Sequence, residues 1–566
     1  MIPPHEPLDE EARETNDYDS LLAESIRDQE WSANYLEHPA LIDARARGDD
    51  RPVTPVALYV DAVPYSQSDS VVGFWVYSLV TGRRFLVAML RKRYLCACGC
   101  RGWCSFWMIL NMIAWSFGAG RIGIYPAGRP DNMGWMKGSD DGRAALAGMS
   151  MSVVIALVMV KLDWSELSTT MGFPSWGSLI RPCFACNSSR DDMFEMDDVG
   201  VEDWPGRRLN TEEDYDVACS RAEIWVGITE EDHVALVNLL HWKKLKSKVG
   251  GRMLRDDYPK LNLKTGDRLE PCASLQDVGA FEDISSFPCQ VLFWRASLAT
   301  MATRRNPIFG EQTGCNTKCI AIDILHCLYL GVMQRIVSEL LWRLLDVNAW
   351  RVQGSVINKH SLSMNRLRHD LANFYEARSK EARRGEGDGE ELTEVTDFQE
   401  KHLGTSQKHA LKLKAAETWG VFRFMPSLLA ERGAALGRER VLWERAISAF
   451  IEHMEVIRTS GRSMSASALQ KLVDTFHTVI GCLKAMPYEF PWSPKFHLWA
   501  HLLQQSFLIG NPKFGSTFLD ESFNGSLKRT ARGVFGGRTF EVRLFWRVNQ
   551  VMRRLATLRR TKRQRW

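Results

Sequence analysis

What is missing narrows the possibilities first. Residues 1 to 30 are polar and acidic and hold no basic-then-apolar leader, so no secretory signal is expected. No apolar run reaches the ~20 residues that a membrane-spanning helix needs. The longest, Cys104–Gly120, is broken by Asn111, and Met149–Val160 is shorter. A buried helix and a buried strand are expected there, and no membrane partner. No internal repeat occurs at solenoid periods. Charge of one sign is scarce: 72 basic against 68 acidic residues leave +4, too little to argue for nucleic acid by itself. The 13 cysteines are odd in number and come with no secretory signal, which points to a reducing compartment, cytosol or nucleus.

What is present is ordinary in amount and uneven in distribution. With 566 residues the chain is too long for one compact core, so two or three domains are expected. Residues 1–52 carry Asp9, Glu10, Glu11, Asp17 and Asp19 and are expected to be an acidic, disordered or loosely packed segment. Residues 551–566 form a basic tail with Arg553, Arg554, Arg559, Arg560, Lys562, Arg563 and Arg565, suited to phosphate binding or nuclear import, or simply to a solvated end. Ordered pattern begins at Pro55–Asp61. Val71–Leu79 and Arg84–Leu90, separated by Thr81-Gly82, complete a three-strand antiparallel meander. An aromatic-rich helix follows from Trp103, then Ser152–Asp163, whose continuous apolar run suits a parallel strand buried on both faces. Both Asp61 and Asp163 stand at strand ends. Residues 191–490 are mainly helical in pattern, as in Ile320–Leu345, Asn365–Ala377, Trp443–Ile457 and Ser465–Leu483, with a charged, glycine-broken loop at 379–391. Residues 491–550 are expected to return to the first domain.

The densest chemical signal is Phe518-Leu-Asp-Glu-Ser-Phe-Asn-Gly-Ser-Leu-Lys-Arg-Thr-Ala-Arg-Gly533. Glu521 and Lys528 lie two helical turns apart and share a face. An acid beside Lys528, Arg529 and Arg532 suits a site that holds a divalent metal and a phosphate together. Upstream stand Tyr59-Val-Asp61-Ala-Val-Pro-Tyr65 and Asp323-Ile-Leu-His326-Cys-Leu-Tyr-Leu-Gly331. Each acid has a competitor: Asp69 for Asp61, Glu166 for Asp163, Asp520 for Glu521. Asp163 also reads as a cap on a helix from Trp164. Asp323 and His326, three apart, read as one face of a helix, either a buried pair or a contact with DNA.

These phrases resemble the catalytic region of CACTA (En/Spm-type) DDE transposases. Glu521-Ser-Phe-Asn-Gly-Ser-Leu-Lys-Arg is similar to that family's Glu-Ser-Phe-Asn-Gly-Lys-Leu-Lys-Arg segment, and Asp323-x-x-His326 to its Asp-x-x-His motif. Asp163 with the trailing Cys183-x-x-Cys186 resembles its second catalytic Asp, and Asp61 its first. The segment Cys96-Ala-Cys-Gly-Cys-Arg-Gly-Trp-Cys104 is shared with a transposase-like group abundant in dinoflagellates. The resemblance implies an α/β, RNase H-like core interrupted by a large helical insertion. It implies a catalytic triad of Asp61, Asp163 and Glu521 holding two Mg²⁺ or Mn²⁺ ions for phosphodiester hydrolysis and strand transfer. It further implies DNA as partner (transposon ends and target), a homo-oligomer when active, and a nuclear location. Asp323, His326, Asn524, Lys528, Arg529 and Arg532 become candidate nucleic-acid contacts. Active members carry a separate DNA-binding domain, whereas only the short acidic segment precedes Asp61. That leaves two readings: a truncated chain, or DNA recognition through the insertion and basic tail. The competing functional reading is a catalytically inactive or domesticated derivative that binds DNA or acts structurally.

The cysteines offer a second metal. Cys96, Cys98, Cys100 and Cys104 are dense enough for Zn²⁺, and Cys183 with Cys186 supplies another half-site, so a four-cysteine structural zinc drawn from both segments competes with buried free thiols. Arg91-Lys92-Arg93, Lys243–Lys248, and Lys408 with Lys412 and Lys414 are further candidates for phosphate contact, against the alternative of solvated faces.

Overall fold

The computed structural model describes residues 1–29, 31–95, 103–173, 182–200, 203–215, 305–385, 390–534 and 539–563. Runs rich in valine, aromatic and aliphatic residues build β1 (Val53–Pro64), β2 (Ser70–Ser78) and β3 (Arg84–Arg91), and the uninterrupted apolar run builds β4 (Val154–Leu162). A five-stranded mixed sheet results, in the order β3-β2-β1-β4-β5, with β5 spanning Ile320–Ile322. The first three strands pair antiparallel; β1 and β4, and β4 and β5, pair parallel. All nine residues of β4 are buried, as a central parallel strand requires.

The alternation sorts side chains onto two faces. Val56, Leu58 and Val60 of β1, Phe74 of β2 and Ile155 of β4 join a core with Leu110, Ile113 and Phe117 of the long helix α5 (Trp103–Ile122). Ala57, Tyr59, Trp75 and Ala156 point the other way, toward Tyr35 and Leu41 near the N-terminus and Leu527, Leu544 and Val548 near the C-terminus. Each fully buried Val, Leu, Ile or Phe contributes about 1.5–3 kcal/mol, which makes the sheet the most strongly held part of this layer.

Three expectations change. The acidic N-terminal segment is ordered: α1 (His5–Glu14), α2 (Tyr18–Gln29), α3 (Ala33–Leu36) and α4 (Pro39–Ala46) pack on the sheet. Asp9 accepts from Tyr125 Oη (2.6 Å) and from the Ser152 amide (2.6 Å), and Tyr35 Oη donates to the Val53 carbonyl (2.8 Å). Asp9 is thus a buried hydrogen-bond acceptor, while Asp17 and Asp19 remain exposed. The segment Ile320–Leu345 is not one helix. Its first three residues add a strand to the edge of β4, Asp323 follows that strand, and a π-helical stretch (Leu325–Met333) leads on. The tail residues up to Arg563 prolong a helix rather than trail free.

Between β3 and β5 lie α5, α6 (Asp141–Leu146) and α7 (Trp164–Thr169). Beyond the π-helical stretch come α8 (Gln334–Asp346), α9 (Val356–Arg383), the short hairpin β6 (Gly404–Thr405) and β7 (Lys408–His409), α10 (Ala415–Arg432), α11 (Glu439–Thr459) and α12 (Ala466–Lys484). The helical reading of 191–490 thus describes the stretch from 305 on, while residues 216–304 lie outside the described residues. The charged loop begins later than expected, because α9 continues through Arg383. Then α13 (Pro494–Leu508), α14 (Pro512–Gly515), α15 (Phe518–Arg532) and α16 (Phe540–Arg563) bring the chain back to the sheet. Among the described residues, no helix is long and apolar enough to cross a membrane.

Candidate functional site

Asp61 lies near the end of β1, on the face that α15 covers. Its Oδ2 accepts from Tyr59 Oη (3.0 Å) and from Asn524 Nδ2 (2.5 Å), and its Oδ1 accepts from the Ala62 amide (2.7 Å). Asn524 reaches Asp61 because α15 lies close to the strands. Gly73 pairs with Asp61 across the β1–β2 ladder, and a Cβ there would meet Trp75 Nε1 at 2.9 Å and Leu527 Cδ2 at 3.2 Å. The glycine makes room for the helix beside the carboxylate.

Asp163 follows β4 by one residue and caps α7, its Oδ1 accepting from the Glu166 amide (2.7 Å). Capping uses one oxygen and leaves the charge in place: Asp163 raises the pKa of Asp61, of Glu521 and of His326. Glu521 sits in the first turn of α15, with a side chain 40 % exposed and Oε1 4.0 Å from His326 Nε2. Burial pushes Asp61 up to about 7, reinforced by the charges of Glu521, Glu166 and Asp163. Burial and neighbouring acids, opposed by His326, raise Glu521 as well. A buried carboxylate such as Asp61, raised by burial and by neighbouring acids, favours a proton or a cation beside it.

The competitors have other work. Asp520 is fully buried and takes two cations, Arg84 Nε and Lys161 Nζ, each at 2.6 Å. Lys161 also donates to Tyr77 Oη (2.8 Å) and to the Ser516 carbonyl (2.6 Å). This cluster joins β2, β3, β4 and α15 and sets the helix register that presents Glu521 and Asn524 to Asp61. Asp69 is taken up by Tyr65 Oη (2.6 Å) and Arg93 Nε (2.5 Å). Glu166 pairs with Lys92 (3.2 Å) and accepts from the Thr170 hydroxyl.

Asp323 and Asn524, the candidate nucleic-acid contacts, are both buried and bonded within the protein. Asp323 is 4 % exposed, and its oxygens accept from His326 Nδ1 (2.5 Å), the Thr517 amide (3.0 Å) and Thr517 Oγ1 (2.7 Å). Asn524 is 3 % exposed and donates to Asp61 and to Tyr59 Oη (2.8 Å). Both are buried because α15 closes over the strand ends, which sequence spacing does not reveal. Asp323 and His326 do not share a helical face either; Asp323 follows β5 and anchors both His326 and the start of α15. Burial would lower His326, but its bond to Asp323 and the charges of Asp323, Asp163 and Glu521 raise it. Lys528 is half-buried, while Arg529 and Arg532 remain exposed on α15. The trio Arg91, Lys92 and Arg93 is engaged with Glu541, Glu166 and Asp69, so none of the three is a free phosphate ligand. Lys408, Lys412 and Lys414 are exposed, whereas Lys243–Lys248 lie outside the described residues.

A second cluster joins Cys183 and Cys186 to His497 and His501 of α13. All four are buried, and one ligand atom from each lies within 4.8 Å of the other three. His497 Nδ1 faces the Met193 carbonyl (2.7 Å) and His501 Nδ1 faces Gln504 Oε1 (2.9 Å). A carbonyl only accepts, so each Nδ1 carries the proton and each Nε2 presents a lone pair. The two Nε2 atoms lie 3.2 Å apart, and His497 Nε2 is 3.4 Å from Cys186 Sγ. Lone pairs and sulfurs at such spacing suit tetrahedral Zn²⁺, whose ligand atoms stand ~3.3–3.8 Å apart for bonds of ~2.0–2.3 Å. Among the described residues, the Cys183–Cys186 half-site is therefore completed by histidines rather than by cysteines. Cys96, Cys98 and Cys100, and the Cys104 side chain, lie outside the described residues. The His497-x-x-x-His501 spacing behind Pro494 was a readable signal, since i and i+4 share a helix face.

The carboxylate site offers the oxygens of Asp61, Asp163 and Glu521 and the buried, unpartnered Asn524 Oδ1, with the His326 Nε2 nitrogen 4.0 Å from Glu521 and no sulfur. That donor set fits Mg²⁺ or Mn²⁺ rather than a thiophilic ion. No protein-family model matches the chain, and no curated protein matches it.

Proposed function

We propose that this chain is a metal-dependent DNA-cutting and -joining enzyme of the DDE transposase kind, with an RNase H-like core and a helical insertion. The observation that carries the reading is the electrostatic coupling of Asp61 on β1 to Asp163 after β4 and to Glu521 on α15, both of which raise its pKa. The β3-β2-β1-β4-β5 order supports it, because it sets the ends of β1 and β4 side by side. Two bound Mg²⁺ or Mn²⁺ ions would supply the activated water or 3′ hydroxyl and stabilise the leaving oxygen. Asp61, Asp163 and Glu521 are the residues that would hold the ions. Asn524 and Tyr59 orient the Asp61 carboxylate, while Asp323 orients His326 beside Glu521 and Asp163. Exposed Arg529 and Arg532 meet DNA phosphates. The protein works in the nucleus as a homo-oligomer on transposon ends and target DNA. Zn²⁺ held by Cys183, Cys186, His497 and His501 would be structural, because four protein ligands leave no open position.

Nicking of supercoiled plasmid with Mn²⁺ tests the activity. Asp61→Asn and Glu521→Gln should each cut the rate at least ~10- to 100-fold, since even the outer-shell partners of a metal are worth that much. Metal-independent DNA binding with no nicking by the wild-type chain would favour the alternative, a transposon-derived DNA-binding protein without catalysis.

A further inference from the structure

Beside the carboxylate site, a cavity of about 400 Å³ opens between the sheet and the helical layer. Its volume lies in the range of small-ligand sites, large enough for one nucleotide. Its walls divide by chemistry. Tyr329 of the π-helical stretch, Trp419 of α10 and Phe518 of α15 supply aromatic surface. Tyr329 stands edge-on to Phe518, with ring centroids 5.1 Å apart, and 6.3 Å from Trp419. Arg458, Arg462 and Lys513 supply positive charge. Lys513 Nζ donates to the carbonyls of Arg458 (2.8 Å) and Ser460 (2.6 Å), neither of which neutralises it. Arg462 is held between the rings of Trp31 and Phe514, 4.4 and 4.6 Å from their centroids.

The back wall adds Arg84 and Lys161, which share the single carboxylate of Asp520. Against these cations the lining holds two carboxylates. Glu455 pairs with Arg458 (2.6 Å), and Glu390 accepts from Trp419 Nε1 (2.7 Å). A positive excess therefore remains. Position is the other clue. Phe518, which lines the cavity, is 38 % exposed and lies one helical turn before Glu521 on the same helix.

We infer that this cavity receives one unpaired nucleotide of a DNA strand lying in the carboxylate site, its base against Phe518, Tyr329 and Trp419 and its phosphate toward Lys513. Aromatic faces stack on any base and cations track the backbone, so the pairing of the two is the usual chemistry of single-stranded nucleic-acid sites. Taking a base out of the duplex costs least where the strand is already unpaired. The inference rests on the DNA-processing reading above, and supplies it with a subsite that holds the strand beside Glu521.

The test uses the full chain without added divalent metal and 2-aminopurine as the probe. Duplexes carry the probe either fully paired or as a one-nucleotide unpaired flap, and dAMP serves as the free ligand. The flap duplex should bind more tightly than the paired one and its fluorescence should be quenched on binding. Phe518→Ala should weaken flap binding roughly 5- to 100-fold, the measured range for one stacked base, and leave paired-duplex affinity within about twofold. Lys513→Gln should weaken flap binding and lower its salt dependence by about one phosphate contact. Phe518 is partly exposed, so its truncation leaves the fold intact. Trp419→Ala provides a second check on the base, with circular dichroism reporting folding.

Equal affinity for flap and paired duplex, unchanged by Phe518→Ala, overturns the inference while plasmid nicking leaves the activity standing. Binding of dAMP as tight as that of the flap overturns the DNA strand as the source of the nucleotide. Loss of all DNA binding together with all nicking overturns the DNA reading and this subsite with it.

Discussion

Asp520 and Glu521 are neighbours in sequence with opposite fates. The first is buried between Arg84 and Lys161; the second is partly exposed toward His326. Their separate roles predict separate effects. Asp520→Asn leaves two buried cations without a counter-charge and should cost roughly 3–5 kcal/mol of stability in urea unfolding. Glu521→Gln should leave the urea midpoint unchanged or slightly raised, because it removes one of several opposed carboxylates. Asp61 makes the same point through pH. Its folded-state pKa, about 7, lies above the ordinary 3.8. A raised value means stability that is fully present below pH 3.8 and is lost as pH rises through about 7. The metal-free protein should therefore melt at progressively lower temperature over that window. Asp61→Asn should flatten the profile and raise stability above pH 7 by roughly 1–3 kcal/mol, even as it abolishes nicking. Mn²⁺ titration calorimetry should show affinity rising through the same pH with proton release, since the ligand must be ionised. A pH-independent Mn²⁺ affinity would exclude Asp61 as a ligand.

At the scale of elements, α15 carries the site. Its register depends on the Asp520 ion cluster at one end and on the close approach at Gly73 in the middle. Gly73→Val should push Leu527 off the strands, shift Asn524 away from Asp61, and destabilise by about 1–3 kcal/mol through overpacking. Guanidinium unfolding and loss of Mn²⁺ affinity would both report it, and a variant that keeps full affinity would show that α15 is not seated this way. The strands and the Glu521 helix could be read from alternation and helical spacing because those patterns are local. The three-residue β5 could not, because Ile320–Ile322 is too short to carry a period and becomes a strand only by pairing with Val160–Leu162. The N-terminal acids misled for a related reason: charge reads as exposure until a partner such as Tyr125 or Ser152 is known.

On the scale of the whole molecule, the buried Cys183–Cys186–His497–His501 cluster joins segments more than 300 residues apart. Zinc there would tie the loop after β4 to α13. Elemental analysis should find one zinc per chain, lost in Cys186→Ser or His497→Ala, and chelation should lower the melting temperature; a zinc-free, equally stable protein would rule this out. Composition and local periodicity were enough for a mixed α/β sheet followed by helices, and for acids at the ends of β1 and β4, since strand pattern and residue type are properties of neighbouring residues. Which acid of each adjacent pair faces the site, which donors complete the cysteine half-site, and where aromatic rings meet cations were decided only by tertiary structure. Those choices depend on long-range burial and ion pairing, which place residues hundreds of positions apart within bonding distance and leave no trace in spacing along the chain.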